Sequence, residues 1–202
     1  MTLASTRSLR RPVGIGLVGI LAATLSACTG RGGGQLPPDG PLFTGAASFG
    51  FSFSCERSSA SVQLQPPTGR LRIQLSYSDH GANPLGSGFA VHGTVDTVTP
   101  LIESMFCIGQ EPPPGANELI FLGRYRTTST APAGFAPACD SDSPVCRFEV
   151  IVRDNDRNGA PTSGDFFSVK LSSATAVTAE LDPATVFYTR AGLLRSGNLT
   201  VD

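Results

Sequence analysis

The sharpest pattern of potential ligands lies between residues 154 and 165. Five residues stand at positions one, three, five, seven and twelve of this run, the ligand positions of an EF-hand calcium loop: Asp154, Asp156, Asn158, Ala160 and Asp165. Glycine occupies position six, where the loop needs a sharp turn. A hard cation such as Ca²⁺ takes six to eight oxygen ligands, and this run offers them close together.

The same run departs from an EF-hand in three ways. Position twelve is Asp165 and not the usual Glu, position eight is Pro161, and both flanks have strand-like alternation. A calcium loop between two strands and a polar hairpin loop both fit. We favour the hairpin, in which Asp and Asn bind the nearby backbone, and keep calcium as the alternative; no other cofactor is expected.

The sequence offers little for catalysis. His80 and His92 are its two histidines, and they form a joint metal or acid-base site only if their strands pair in the right register. Gly86-Ser87-Gly88 lacks the G-x-S-x-G elbow of serine hydrolases and its strand-to-helix context. We therefore expect a protein that is not an enzyme, with a hydrolase as a remote alternative.

Residues 1–27 have the pattern of an export signal. Arg7, Arg10 and Arg11 precede an uncharged, mostly apolar stretch from Pro12 to Leu25, as in the n- and h-regions of a secretory signal. This stretch of about fourteen residues is shorter than the roughly twenty that cross a bilayer as a helix. We expect it to be cleaved.

The next four residues, Leu25-Ser26-Ala27-Cys28, resemble at every position the lipobox of bacterial lipoproteins. The resemblance implies that Cys28 is the lipidated first residue of the mature protein. Its diacylglyceryl group and palmitate-type chains would hold the protein on the extracytoplasmic face of a cell membrane. Each buried methylene contributes about 0.8 kcal/mol, so two or three chains give a stable anchor. An ordinary secretory signal with a chance cysteine is the alternative.

Four further cysteines suggest disulfides: Cys55, Cys107, Cys139 and Cys146. In an oxidising compartment an even number favours bridges, with three pairings to choose from. We favour Cys139–Cys146, which closes a short loop, together with Cys55–Cys107, which ties two distant strands. Zinc is the alternative, but no C-x-x-C pair is present.

Composition bounds the size and partners of the mature protein. Removing residues 1–27, with three arginines and no acid, leaves 175 of 202 residues and takes the net charge from −1 to −4. This length suits one domain, and the acidic balance argues against nucleic acid. Residues 29–41 are rich in Gly and Pro, typical of a flexible linker. The predicted organisation is a signal at 1–27, a lipidated cysteine and flexible linker at 28–41, and one all-β domain at 42–202.

The domain has the period-two alternation of half-buried strands. Phe49, Phe51 and Phe53 alternate with small polar residues, and similar alternation recurs in six further segments: 71–77, 89–95, 119–121, 148–152, 167–171 and 199–201. Gly/Pro-rich turns separate many of them. We expect an antiparallel β-sandwich or open barrel of about seven to nine strands. Residues 127–145 show little periodicity and are expected to form a long excursion, either functional or disordered.

The order of several segments resembles the post-COAP domain of secreted bacterial proteins. The segments are 45–51, 69–80, 91–95, 148–155, 164–169 and 196–201. The resemblance implies an all-β accessory domain without an assigned catalytic activity. The chain departs from that family in its cysteine-bearing insert at 127–146 and in its own lipid signal.

Taken together, these features predict a lipid-anchored, non-catalytic binding or structural module of the cell envelope. Its partners would be the membrane, through the lipid on Cys28, and an envelope protein or glycan. A calcium-dependent glycan or polymer binder that uses the 154–165 run is the first alternative. A hydrolase is the second.

Overall fold

A computed structural model describes residues 28–57, 69–94, 117–155, 164–176, 178 and 180–201. This part of the chain folds into nine strands: β1 (Cys28–Leu36), β2 (Ala47–Arg57), β3 (Gly69–Asp79), β4 (Phe89–Thr94), β5 (Glu118–Thr127), β6 (Cys146–Arg153), β7 (Phe166–Ser172), β8 (Val186–Leu193) and β9 (Ser196–Val201). Two three-residue 3₁₀ turns, Pro137–Cys139 and Pro183–Thr185, are its only helical elements. No helix in the described ranges is long and apolar enough to cross a bilayer.

The strands form one antiparallel sheet in the order β8-β7-β6-β5-β4-β3-β2-β1-β9. The sheet curls into an open half-barrel, so the predicted all-β fold is confirmed. The edge strands β8 and β9 follow one another in the chain, joined by a turn at residues 194 and 195. Within this turn the Arg195 amide donates to the Gln35 carbonyl of β1 at 2.8 Å.

Aromatic side chains fill the concave side of the sheet. Phe49, Phe51 and Phe53 of β2 all point inward and are buried. The Phe49 ring stacks on Phe167 of β7 with 3.6 Å between centroids, and Phe51 lies 5.5 Å from Phe121 of β5. Curling thus brings strands that are far apart in the sheet order into contact, and each strand buries its apolar face.

The segment predicted as a flexible linker is partly a strand, and the prediction is wrong for residues 28–36. These residues form β1, which lies between β2 and β9 and is paired with both. Its glycines allow close packing. A Cβ on Gly30 would lie 2.4 Å from the Leu119 side chain, and one on Gly32 would lie 2.5 Å from the Asn198 carbonyl oxygen. The folded domain therefore includes residues 28–36, which precede the predicted start at residue 42.

The excursion between β5 and β6 is ordered. Cys139 and Cys146 form the predicted disulfide, with 5.4 Å between their Cα atoms. Phe135 is buried, and its ring packs edge-on against Phe89 at 5.4 Å. Since this segment supplies part of the core, its described residues are a structural element of the domain.

Candidate functional site

The Cys28 end of the sheet is the first candidate site. In the strand register Cys28 lies opposite Cys55 of β2, and Cys55 lies opposite Leu71 of β3. Opposed residues of antiparallel strands have Cα atoms about 4.5–5.5 Å apart, within the range that a disulfide spans. The residue predicted to carry lipid thus belongs to an internal strand, and a second cysteine is its cross-strand neighbour. Cys107 lies outside the described residues, and with it the predicted Cys55–Cys107 pair.

A broad polar face covers the convex side of β9, β1, β2, β3 and β4 and continues onto β5. We define this polar face by its outward positions: Thr29, Arg31, Gly33, Gln35, Ser48, Gly50, Ser52, Ser54, Arg72, Gln74, Ser76, Ser78, Ala90, His92, Thr94, Arg124, Arg126, Ser196, Asn198 and Thr200. None of these positions holds an acid or a large apolar residue, and the face ends on β5 before the outward Glu118 and Ile120. Such a surface suits polar or anionic partners better than apolar ones.

The two histidines are not brought together. The Nε2 atom of exposed His80 lies 2.8 Å from Ser48 Oγ. His92 is in register with Ser76, four residues before His80, a separation of about 13 Å along a strand. Within the described part of the chain no carboxylate hydrogen bonds to His80, so the Ser48–His80 pair lacks the orienting third group of a catalytic triad.

The structure places the first and last residues of the predicted calcium run against β9. Asp165 Oδ2 accepts a hydrogen bond from the Leu199 amide at 2.9 Å, and Asp154 Oδ2 accepts one from the Val201 amide at 3.2 Å. Asp165 Oδ1 accepts from the Asn155 amide at 3.1 Å. Both carboxylates are buried. They satisfy amides of an edge strand, which protects that edge from pairing with another chain.

The rest of the predicted calcium run, Asp156, Asn158 and Ala160, lies outside the described residues. Among the described residues no group of three or more His, Cys, Asp or Glu side chains is placed to share a metal ion. The alternation of the flanking strands pointed to a hairpin here. The contacts of two of its carboxylates with β9 require knowledge of the sheet order, which the sequence does not give.

A buried polar network joins β3 to β8 across the concave side. The Arg190 Nη1 atom lies 3.1 Å from Asp79 Oδ2, and the two side chains are 2% and 0% exposed. Tyr188 donates to the same Oδ2 at 2.7 Å, and the Tyr77 hydroxyl hydrogen bonds to that of Tyr188. The Gly81 amide donates to Asp79 Oδ1 at 3.2 Å. Both carboxylate oxygens therefore have partners.

Arg190 also fixes the connection between β1 and β2. Its Nη2 atom donates to the Pro37 carbonyl at 2.7 Å and to the Gly45 carbonyl at 2.9 Å, and its guanidinium lies 4.3 Å from the centre of the Phe43 ring. Burial is the main cause that raises the pKa of Tyr188, followed by the nearby Tyr77. The Tyr188 hydroxyl therefore stays protonated and can donate. Because these partners all belong to the domain itself, the network stabilises the fold.

No family model, no curated protein and no solved structure matches this chain.

Proposed function

We propose that this chain is a lipid-anchored, extracytoplasmic all-β protein that serves as a non-catalytic binding or structural module of the cell envelope. The observation that carries the proposal is the lipobox-like Leu25-Ser26-Ala27-Cys28 after an apolar segment with basic residues before it. The proposed likeness to post-COAP domains agrees with an all-β accessory role.

The polar face supports a binding role over a catalytic one. It is wide, since it runs over six neighbouring strands at about 4.8 Å each, and its side chains are mostly small or polar. The buried titratable side chains of the Asp79 network already bond to one another. The partner is an envelope protein or glycan held against the part of this face that lies away from Cys28, and the membrane holds the lipid.

The anchor is tested by replacing Cys28 with serine in the full chain. We expect the variant to lose all incorporation of a palmitate analogue and to leave the membrane fraction, because Cys28 supplies the only acylated thiol in the proposal. The measurement is metabolic labelling with membrane fractionation and the intact mass of the mature protein. Cys139→Ser is the matched control and should remain acylated.

Peptide mapping without reduction gives a second readout on the same cysteines. If Cys28 is acylated its thiol is consumed, so we expect Cys139–Cys146 and Cys55–Cys107 bridges. If Cys28 is unmodified, its register partner Cys55 is the expected disulfide partner, because opposed residues have Cα atoms within disulfide range. A Cys28–Cys55 bridge in the protein isolated from its own membrane would overturn the lipoprotein proposal.

A calcium-dependent glycan or polymer binder is the second candidate function. It is favoured by one observation: the calcium-loop spacing of Asp154, Asp156, Asn158 and Asp165 in the sequence. Because three carboxylate oxygens of Asp154 and Asp165 already accept amide hydrogen bonds, we expect the melting temperature of the oxidised mature protein to be the same with calcium and with chelator. A calcium-dependent rise of several degrees that Asp156→Ala abolishes would favour this second function.

A further inference from the structure

The charge on the polar face is opposite to that of the whole mature chain. Without residues 1–27 the chain carries a net charge of −4, yet the positions that define the polar face hold four arginines and no acid. Glu56, the next position of the same parity on β2, is in register with a further arginine, Arg70. Arg124 donates to the carbonyl groups of Val145 and Thr175 at 2.8 and 2.9 Å. Arg31 and Arg72 are exposed, and neither forms an ion pair with the residues that the structure describes. These two guanidinium groups are available to an anionic partner.

Both arginines lie near the Cys28 end of the sheet. Arg72 of β3 is in register with Ser54 of β2, which is in register with Thr29 of β1, the residue after Cys28. Two strand spacings therefore separate Arg72 from β1, about 10 Å across the sheet. Arg31 follows Cys28 by three residues on β1, about 10 Å along the strand. Ser52 pairs with Arg31 and lies on β2 between the two arginine-bearing strands.

The pairing of β1 fixes the distance between Cys28 and the two arginines. Because β1 is paired on both sides from its first residues, with Cys28 opposite Cys55 and Gly30 opposite Val201, an acyl group on Cys28 would hold the sheet at the bilayer surface. A thirteen-residue flexible linker would instead have let the domain diffuse well beyond the Debye length of about 8 Å at physiological salt. Arg31 and Arg72 are therefore close enough for lipid headgroups to attract them.

We infer that Arg31 and Arg72 form a second membrane contact, which binds the anionic headgroups of the same bilayer that holds the acyl chains of Cys28. This inference rests on the proposed function for the closeness of the bilayer. Each arginine near an anionic surface strengthens attachment by about fivefold. The contact turns the polar face near Cys28 toward the membrane, while the outer surfaces of β7 and β8 stay away from it.

The chain contains no tryptophan, so one introduced tryptophan reports the orientation of the domain. Ser52→Trp places the reporter between the two arginines, and Thr189→Trp places it on an exposed position of β8. The acylated protein carrying either reporter is reconstituted in vesicles with dansyl-labelled headgroups. One vesicle set contains phosphatidylglycerol and phosphatidylcholine, the other phosphatidylcholine alone.

We expect energy transfer from Ser52→Trp to be strong in the phosphatidylglycerol vesicles and to fall with 0.5 M salt, a concentration chosen because the Debye length then shrinks to roughly 4–5 Å. Arg31→Glu combined with Arg72→Glu should remove it. Thr189→Trp should give weak transfer in both vesicle sets.

The matched control is Arg195→Glu, which makes the same charge change at an exposed turn. Arg195 lies beside Gln35, at the end of β1 that is far from Cys28. This variant should leave the transfer from Ser52→Trp unchanged. Equal transfer from Ser52→Trp in both vesicle sets, or transfer that survives the double reversal, would overturn the inference.

The chain from residue 28 onward with Cys28→Ser separates this inference from the anchor itself. All nine strands are retained, and no acylation is needed. Pelleting with phosphatidylglycerol vesicles, weakened at least tenfold by the double reversal and unaffected by Arg195→Glu, supports the contact even if Cys28 proves unmodified in cells. Binding to soluble dextran sulfate through the same arginines, without binding to vesicles, would replace the membrane by an anionic polysaccharide as the partner.

Discussion

Replacing Asp79 by alanine is expected to lower the free energy of unfolding by about 3–5 kcal/mol. The change leaves the Arg190 guanidinium, which is 2% exposed, as a buried charge without its carboxylate. It also removes the acceptor of the Tyr188 hydroxyl and of the Gly81 amide. For a domain of this size the loss corresponds to a fall in melting temperature of roughly 6–20 °C.

Urea unfolding of the oxidised mature chain measures this loss, and a second ion pair provides the control. Arg153 bonds to Glu118 on the outer side of the sheet, where the side chains are 46% and 37% exposed. Because exposed pairs contribute little, Glu118→Ala should cost no more than about 1 kcal/mol. If Asp79→Ala cost as little as Glu118→Ala, the network would not hold β3 to β8 and its placement in the core would be wrong.

The double variant Asp79→Leu with Arg190→Met sharpens the same test. Removing both charges leaves no buried ion without a partner, and apolar replacements of buried pairs are often neutral. We expect the double variant to be more stable than Asp79→Ala. The Pro37 and Gly45 carbonyls lose their Arg190 donor in it, so full recovery is not expected.

The fold class could be predicted because alternation is a local property. Phe49, Phe51 and Phe53 signal a strand wherever they stand in the chain, and the structure confirms β2 there. Strand β8 gave a weaker signal because Arg190, a charged residue, occupies an inward position between Tyr188 and the strand end. Its partner Asp79 is 111 positions away, a distance over which periodicity carries no information.

The candidate sites depended on register in the same way. Asp154 and Asp165 stood out in the sequence for their spacing, but their bonds to the Leu199 and Val201 amides require β9 to be an edge strand near the β6–β7 connection. Likewise, no sequence pattern predicts that Cys28 lies opposite Cys55. Strand pairing and register depend on which strands bury their apolar faces together. This is a property of the folded sheet and not of any single segment.

The sequence does not predict β1, because a glycine-rich segment is typical of a flexible linker. Four of the nine residues of β1 are glycine: Gly30, Gly32, Gly33 and Gly34. This composition weakens an isolated strand. In the sheet the same glycines let β2 and β9 approach from both sides. A glycine-rich segment can therefore be either a flexible linker or a strand whose neighbours pack closely against it. Replacing one glycine by a larger residue and measuring stability distinguishes the two.

Gly32→Val is expected to lower the free energy of unfolding by about 3 kcal/mol, at the upper end of the usual cost of overpacking. A Cβ alone at this position would lie 2.5 Å from the Asn198 carbonyl oxygen and 2.9 Å from the Leu199 Cα. These are backbone atoms of β9, so the clash is relieved only by moving β9 away from β1. Thermal and urea unfolding of the mature chain measure the loss.

Gly50→Val is the matched control, because it makes the same change on the neighbouring strand. The nearest atom to a Cβ on Gly50 is the Gly32 carbonyl oxygen at 3.9 Å, and valine suits a strand better than glycine does. The control should therefore stay within about 0.5 kcal/mol of the parent or exceed it. If Gly32→Val melted like the parent, residues 28–36 would be a linker after all. The short distance from a lipid on Cys28 to Arg31, on which the second membrane contact depends, would then be lost as well.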